Sequence, residues 1–127
     1  MHSVPQGRYN VSLALVIDKL IFAIGGNNIS NKEVTEATEI YDVSQNKWYL
    51  GPNLNKGRCF TSCCVMNHRY IYIFPGYKRT SSHSTIEMLD LGFAIDPSDV
   101  KKLKWQLLKV KNRTFSSTFA YGSIQID

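Results

Sequence analysis

Short apolar runs punctuated by polar turns recur along the chain, and two stretches of this pattern resemble each other. Residues 20–26 (LIFAIGG) are echoed 50 residues later by residues 70–76 (YIYIFPG). Before each stretch come an Arg, a Ser, an earlier apolar run and a short polar turn, in the same order. A spacing of this size predicts an array of similar structural units.

The pattern within the first unit predicts four short strands. Residues 11–17 are apolar at both odd and even positions, which is typical of a strand buried on both faces. A polar turn leads back into residues 20–24, so these two segments predict a hairpin. The alternating residues 35–41 and the short segment 47–50 supply the third and fourth strands, separated by a turn that begins at Asp42.

The spacing divides the chain into three units, two of them long and the last one truncated. Residues 91–104 lengthen the connection between the third and fourth strands of the second unit, and residues 96–99 (DPSD) predict the cap of a single helical turn. No segment keeps a 3.6-residue period, so we predict an all-β protein. The predicted units are residues 8–57, 58–112 and 113–127.

These units resemble the kelch repeat. The first unit carries a double glycine after an apolar strand, a Tyr-Asp pair, a Trp six residues beyond that Asp, and an Arg at the next boundary. The second unit keeps a Gly, an Asp and a Trp, but it has Pro75 in place of the first glycine and Leu89 in place of the tyrosine. The residues that carry the resemblance are Gly25, Gly26, Tyr41, Asp42, Trp48, Arg58, Gly76, Asp90 and Trp105.

The resemblance implies that each unit is a four-stranded antiparallel blade of a kelch-type β-propeller. The chain would supply about two blades and the start of a third, with large side chains such as Phe22, Tyr41, Trp48 and Trp105 packed between neighbouring blades. Propellers close with about four to eight blades. Closure would therefore need the remaining blades of a longer protein, or self-association.

In kelch propellers the recurring arginine leads into the innermost strand, at one rim of the central channel. By resemblance, these arginines and the serines that follow them would form a positively charged rim that binds an acidic segment of a protein partner. The alternative is a structural arginine, paired with backbone carbonyls or with an Asp of the neighbouring blade. The candidate rim residues are Arg8, Ser12, Arg58, Ser62, Arg113 and Ser117.

The resemblance favours a protein–protein interaction module, a scaffold or adaptor without catalysis or cofactor. The sequence contains no paired carboxylates, nucleophile elbow or phosphate-binding glycine loop that would indicate an enzyme. The alternative is a fragment of an oxidase-type kelch propeller, whose catalytic residues would lie outside this chain. Fold alone does not choose between these functions.

Charge and hydropathy narrow the classes of partner. The formal net charge is +5, and six of the thirteen residues from 101 to 113 are basic. We interpret this segment as a solvated outer edge, because a nucleic-acid surface would need more aromatic residues among the charges. No apolar run approaches the roughly 20 residues that span a bilayer, so no membrane segment is expected.

The three cysteines give an odd count, which indicates reduced thiols and a cytoplasmic protein. On a strand, Cys59 and Cys63 would share one face while Cys64 and His68 share the other, so we expect no metal site. We expect buried thiols in the core or between blades, as is common for free cysteine.

Overall fold

The computed structural model describes residues 7–75, 85–94 and 96–109. This part of the chain contains ten short strands and a single turn of α-helix, α1 (Pro97–Val100). The strands are β1 (Arg8–Tyr9), β2 (Ser12–Val16), β3 (Leu20–Ile24), β4 (Asn27–Asn28), β5 (Thr38–Asp42), β6 (Lys47–Leu50), β7 (Cys63–Met66), β8 (Tyr70–Ile73), β9 (Thr85–Asp90) and β10 (Gln106–Lys109).

Eight of these strands form two four-stranded antiparallel sheets, and β1 pairs separately with β4. The first sheet, blade 1, has the order β2-β3-β5-β6, and the second, blade 2, joins β7, β8, β9 and β10 in the same sequential way. The all-β prediction, with one antiparallel four-stranded blade in each of the first two units, is confirmed. The predicted third unit, residues 113–127, lies outside the described residues.

The first hairpin of each blade turns through two residues with positive φ. These residues are Ile17 (55°) and Asp18 (51°) in blade 1, and Asn67 (54°) and His68 (52°) in blade 2. Two left-handed residues give a hairpin the twist of its flanking strands. The repeat therefore preserves backbone conformation even where the side chains differ.

The core lies between the two blades. Phe22 and Ile40 of blade 1 and Ile71 and Leu89 of blade 2 are fully buried members of one hydrophobic cluster. Beside this cluster the innermost strands meet, and the Ser12 hydroxyl donates a hydrogen bond of 2.8 Å to the Thr61 carbonyl. Because a blade alone has no second layer to cover its apolar face, each blade needs its neighbour.

The long connection in blade 2 packs against the same core. Asp96 caps α1 by accepting a hydrogen bond of 2.9 Å from the Ser98 backbone N–H, as the sequence predicted. Val100 is fully buried in the cluster, and Leu103 packs against it. The insertion is therefore held by the core. No helix among the described residues is long and apolar enough to cross a membrane.

The opposite face of blade 1 is open. Leu13 is 63% exposed and Leu15 is 53% exposed, so the prediction that this strand is buried on both faces was wrong. The corresponding residues of blade 2, Cys63 and Val65, are covered because they pack against the core shared with blade 1. Among the described residues, no sheet covers blade 1 in the same way.

We expect Phe22→Ala to reduce the free energy of unfolding by about 3–5 kcal/mol, because it opens a cavity between the two blades. Chemical denaturation measures this change. Leu13→Ala is the matched control on the open face, and it should change stability far less. Equal effects of the two substitutions would contradict the packing described above.

Candidate functional site

The second predicted rim arginine, Arg58, lies in the interior. Its Nη2 is 2.7 Å from Oε2 of Glu87, and both side chains are 0% exposed. Its Nη1 donates to the backbone carbonyls of Thr85 (2.9 Å) and Phe74 (3.1 Å). The guanidinium therefore joins the start of blade 2 to two of its strand ends.

Glu87 completes this buried cluster by holding the segment that enters blade 2. Its Oε1 accepts hydrogen bonds from the Asn55 backbone N–H (2.7 Å) and the Asn55 side-chain amide (2.9 Å). Its Oε2 accepts another from the Lys56 backbone N–H at 3.0 Å, beside the contact with Arg58. A buried carboxylate needs this many donors, because burial removes its hydration.

Blade 1 repeats the device with Arg8 and Glu39. Nη2 of Arg8 is 3.2 Å from Oε1 of Glu39, and their side chains are 0% and 1% exposed. Nη1 of Arg8 donates to the carbonyls of Gly25 (2.6 Å) and Ala37 (2.9 Å). Burial lowers the pKa of both Arg8 and Arg58, while the neighbouring carboxylate opposes the shift.

This geometry fits the structural alternative for Arg8 and Arg58. Each guanidinium is buried and already contacts a carboxylate and several carbonyls, so it is not exposed to a partner. Arg8 and Arg58 therefore do not form the expected partner-binding rim. The partner group is a Glu of the same blade, whereas the sequence suggested an Asp of the neighbouring blade. A charged residue inside an otherwise buried third strand, in both repeats, was the signal for Glu39 and Glu87.

Of the described serines of the expected rim, Ser12 bonds through its hydroxyl and Ser62 through its backbone carbonyl. Ser12 is 5% exposed and bonds Thr61, as noted above. The Ser62 carbonyl accepts a hydrogen bond of 3.0 Å from the Phe74 N–H, close to the start of β7. Arg113 and Ser117 lie outside the described residues.

The double glycine allows other backbone segments, including the start of the next unit, to approach it closely. At Gly25 (φ 66°) an added Cβ would lie 2.4 Å from the Arg58 carbonyl oxygen, and at Gly26 (φ 97°) 2.6 Å from that of Tyr9. The Gly26 N–H donates to the same Arg58 carbonyl at 2.8 Å. Glycine is required here by both close approach and positive φ. Gly76 is outside the described residues.

The Asp of each repeat closes the turn after the third strand. Oδ1 of Asp42 accepts hydrogen bonds from the Ser44 N–H (2.9 Å) and the Ser44 hydroxyl (2.6 Å). The Ser44 hydrogen bonds lower the pKa of Asp42. Asp90 uses the same position differently, pairing with Arg69 at 2.7 Å and accepting from the Gly92 N–H at 2.9 Å.

The two tryptophans occupy different environments. Trp105 is 4% exposed in the core, and its indole N–H donates to the Pro52 carbonyl at 3.0 Å. Trp48 is half-buried, and its ring centroid lies 5.2 Å from that of Tyr41. Trp105 packs between the blades as expected, whereas Trp48 stands at the corresponding place on the open face of blade 1.

A groove with a volume of about 900 Å³ separates the outer part of blade 1 from the insertion of blade 2. Its walls are residues 35–38 and 50–53 on one side and Lys101 and Lys104 on the other, with Trp105 and Asn55 between them. Both lysines are exposed, as expected for a solvated edge. Sequence reasoning missed the groove, because the contact between this insertion and blade 1 joins segments about 50 residues apart.

The thiols follow the expectation only in part. Cys59 is buried, and Cys63 is half-buried with its Sγ 3.1 Å from the Leu13 carbonyl oxygen. Burial raises the pKa of Cys63 to about 11. Cys64 is exposed, so the prediction of buried thiols was wrong for it. Within the described ranges, no group of three or more His, Cys, Asp or Glu residues is arranged to hold a metal ion.

We expect Glu87→Ala to destabilise the protein by about 3–5 kcal/mol, because it leaves the Arg58 charge buried without its partner. Glu87→Gln keeps the shape and one acceptor oxygen, and should retain more stability. Lys102→Ala, which removes the exposed partner of Asp99, is the control. Urea denaturation measures both changes. Similar losses of stability in Glu87→Ala and Lys102→Ala would contradict the role given to the buried pair.

The lowered pKa of Asp42 predicts a pH dependence. Its carboxylate adds stability above its usual pKa of 3.8, and this contribution is lost as the pH falls through the lower pKa of the folded state. Asp42→Asn should therefore be less stable than the native chain at about pH 7, with the difference shrinking below about pH 4.

Thermal or urea unfolding across this pH range measures the effect. Asp18→Asn, which changes an exposed carboxylate in the preceding hairpin turn, is the control. A difference between native chain and Asp42→Asn that stayed constant with pH would contradict the role given to the Asp42 charge.

Curated viral proteins match most of this chain. It is 38% identical over 90 residues to Kelch repeat and BTB domain-containing protein 2 of horsepox virus, covering 68% of the chain and 16% of the relative. The protein of the same name from cowpox virus strain GRI-90 is 37% identical over 90 residues, 68% of the chain and 15% of the relative. In strain Brighton Red the identity is 35% over 97 residues, 74% of the chain and 17% of the relative.

The chain thus spans about one sixth of the length of these relatives. No protein-family model matches it. The support for its assignment therefore comes from the relatives and from the structure, in which each described repeat forms an antiparallel four-stranded sheet. Together, the repeated blades and these similarities show a partial kelch-repeat protein.

Proposed function

We propose that this chain is a protein–protein interaction module, part of a kelch-type scaffold or adaptor without catalytic activity. The observation that carries the proposal is the open face of blade 1, where large apolar side chains stand in solvent on an otherwise well-packed sheet. Apolar patches of this kind are covered by a further structural unit, either of the same protein or of a partner protein. The exposed members are Leu13 (63%), Leu15 (53%) and Leu50 (55%), with Ile17 (49%) at the adjoining turn.

The repeat itself indicates what covers this face. In blade 2 the positions equivalent to Leu13 and Leu15 are Cys63 and Val65, and these pack against the core between the blades. We propose that blade 1 receives a further blade in the same manner, from a longer kelch propeller or from a second copy of the chain. The names of the relatives support the first source, since they join kelch repeats to a BTB domain.

The described polar side chains favour binding over catalysis. The fully buried charges Arg58 and Glu87 are engaged with each other and with backbone groups. These contacts stabilise blade 2, and they occupy the polar atoms of the pair that could otherwise contact a substrate. The oxidase alternative would require catalytic residues elsewhere in a longer protein.

We also propose a cytoplasmic location, supported by the free state of Cys59, Cys63 and Cys64.

Crosslinking mass spectrometry on the tagged full chain expressed in cells tests the interaction function. We expect crosslinks from described blade residues to the same partner protein in repeated experiments, at a level well above the tag alone. Absence of any protein crosslink above that control would overturn the proposal.

We expect the isolated chain to self-associate through the open face of blade 1. The double substitution Leu13→Lys and Leu15→Lys should shift the sedimentation coefficient toward that of the monomer, because charged side chains oppose burial of the face. Val43→Lys, at an exposed apolar residue in a turn, is the control. A native chain that sediments as a monomer at all concentrations would contradict this expectation.

A further inference from the structure

The groove between blade 1 and the insertion of blade 2 has a firmly held floor. Trp105 donates its indole N–H to the Pro52 carbonyl at 3.0 Å, and the Asn55 side-chain amide donates to the Trp105 carbonyl at 2.8 Å. Asn55 is in turn fixed by Glu87, which accepts hydrogen bonds from its backbone and side chain. The groove floor is therefore tied directly to the buried Arg58–Glu87 pair.

The insertion wall is equally well held. Val100 is fully buried in the core, and Leu103 packs against the same cluster. Lys101 follows the helical turn directly, and its N–H donates to the Pro97 carbonyl at 3.0 Å. Because its backbone is fixed at these points, the wall presents Lys101 and Lys104 to the groove without first having to fold. Preorganised surfaces lose less entropy on binding.

The exposed charges of the groove favour an anionic occupant. Lys101 and Lys104 are exposed, and neither forms an ion pair with another residue in the part of the chain that the structure describes. Lys102, beside them, is 3.9 Å from Asp99. On the facing wall Glu36 is the single carboxylate among the lining residues, so lysines outnumber acids by two to one.

The shape of the groove favours a peptide. The cavity is open along blade 1, beside the end of edge strand β6. Drug-sized ligands are usually enclosed on most sides, whereas an extended chain needs only a trough with anchor points. A single-stranded nucleic acid would need exposed aromatic rings for stacking. Trp105 does not supply one, since it is 4% exposed.

We infer that this groove docks an extended acidic segment of a partner protein, with its carboxylates toward Lys101 and Lys104. The inference rests on the proposed interaction function and places an acidic contact on the outer side of the blades, away from the buried arginines. Glu36 limits the affinity, because it repels part of an acidic segment. Lysines on an exposed surface also make the interaction sensitive to salt.

Binding is tested with a fluorescein-labelled poly-glutamate peptide and a neutral peptide of the same length, in which Gln replaces every Glu. Fluorescence anisotropy at low salt should show binding of the acidic peptide only. The double substitution Lys101→Glu and Lys104→Glu should weaken it about tenfold or more. Glu36→Gln should strengthen it by about two- to threefold, since it removes the repelling charge.

The control for net charge is the pair Lys32→Glu and Lys47→Glu, two exposed lysines that do not line the groove. This control should retain most of the affinity. Equal loss in both double variants, or equal binding of the neutral peptide, would show a general charge effect and overturn the inference. Circular dichroism confirms that each variant keeps the β fold.

The two tryptophans of the chain locate the bound peptide. In a ¹⁵N–¹H spectrum, the indole N–H of Trp105 in the groove should shift on titration, while that of Trp48 on the open face should not. The reverse pattern would place the peptide on the open face of blade 1 and overturn the groove assignment.

The crosslinking experiment separates this inference from the proposed function. Loss of the partner crosslinks in the Lys101→Glu and Lys104→Glu variant, but not in the Lys32→Glu and Lys47→Glu control, would support the groove. Equal crosslinking of both variants to the partner would overturn docking in the groove, while the interaction function would still hold. Absence of any partner for the native chain would remove the interaction function itself.

Discussion

The buried arginine–glutamate pair is the interaction on which the rest of each blade depends. Placing two charges where water is excluded costs several kcal/mol per ion, and only close pairing and further hydrogen bonds offset that cost. Arg58 meets this condition through Glu87 and the carbonyls of Thr85 and Phe74. The pair thereby fixes the strand ends, the entry segment and the orientation of the third strand with one set of contacts.

Much of the fold was predictable from the sequence, because apolar periodicity and turn chemistry act over a few residues. The hairpins, the turn at Asp42 and the cap at Asp96 follow from such local signals. The start of the third strand was predicted too early. Alternation in residues 35–41 placed it before the observed Thr38. Pairing with β3, rather than local alternation, determines where that strand begins.

The candidate site was less predictable, because burial depends on what faces a residue across the fold. The burial of Arg58 depends on Glu87 and on the carbonyls of Thr85 and Phe74, which are distant from it in sequence. In the same way, Leu13 and Cys63 hold equivalent positions in β2 and β7. Leu13 is exposed, whereas Cys63 packs against the core because blade 1 lies beside it.

Variation between the two repeats is concentrated where the buried pair does not reach. From Asp42 to Trp48 the chain takes six residues, and from Asp90 to Trp105 it takes fifteen. The longer connection leaves the inner strands of blade 2 paired as in blade 1, because their positions depend on Arg58, Glu87 and the shared core. The outer connection of a blade can therefore differ in length between the repeats, and the longer connection creates a new surface. The lysine-walled groove has this origin, since its cationic wall comes from the insertion and its floor from the contacts that Trp105 makes with Pro52 and Asn55.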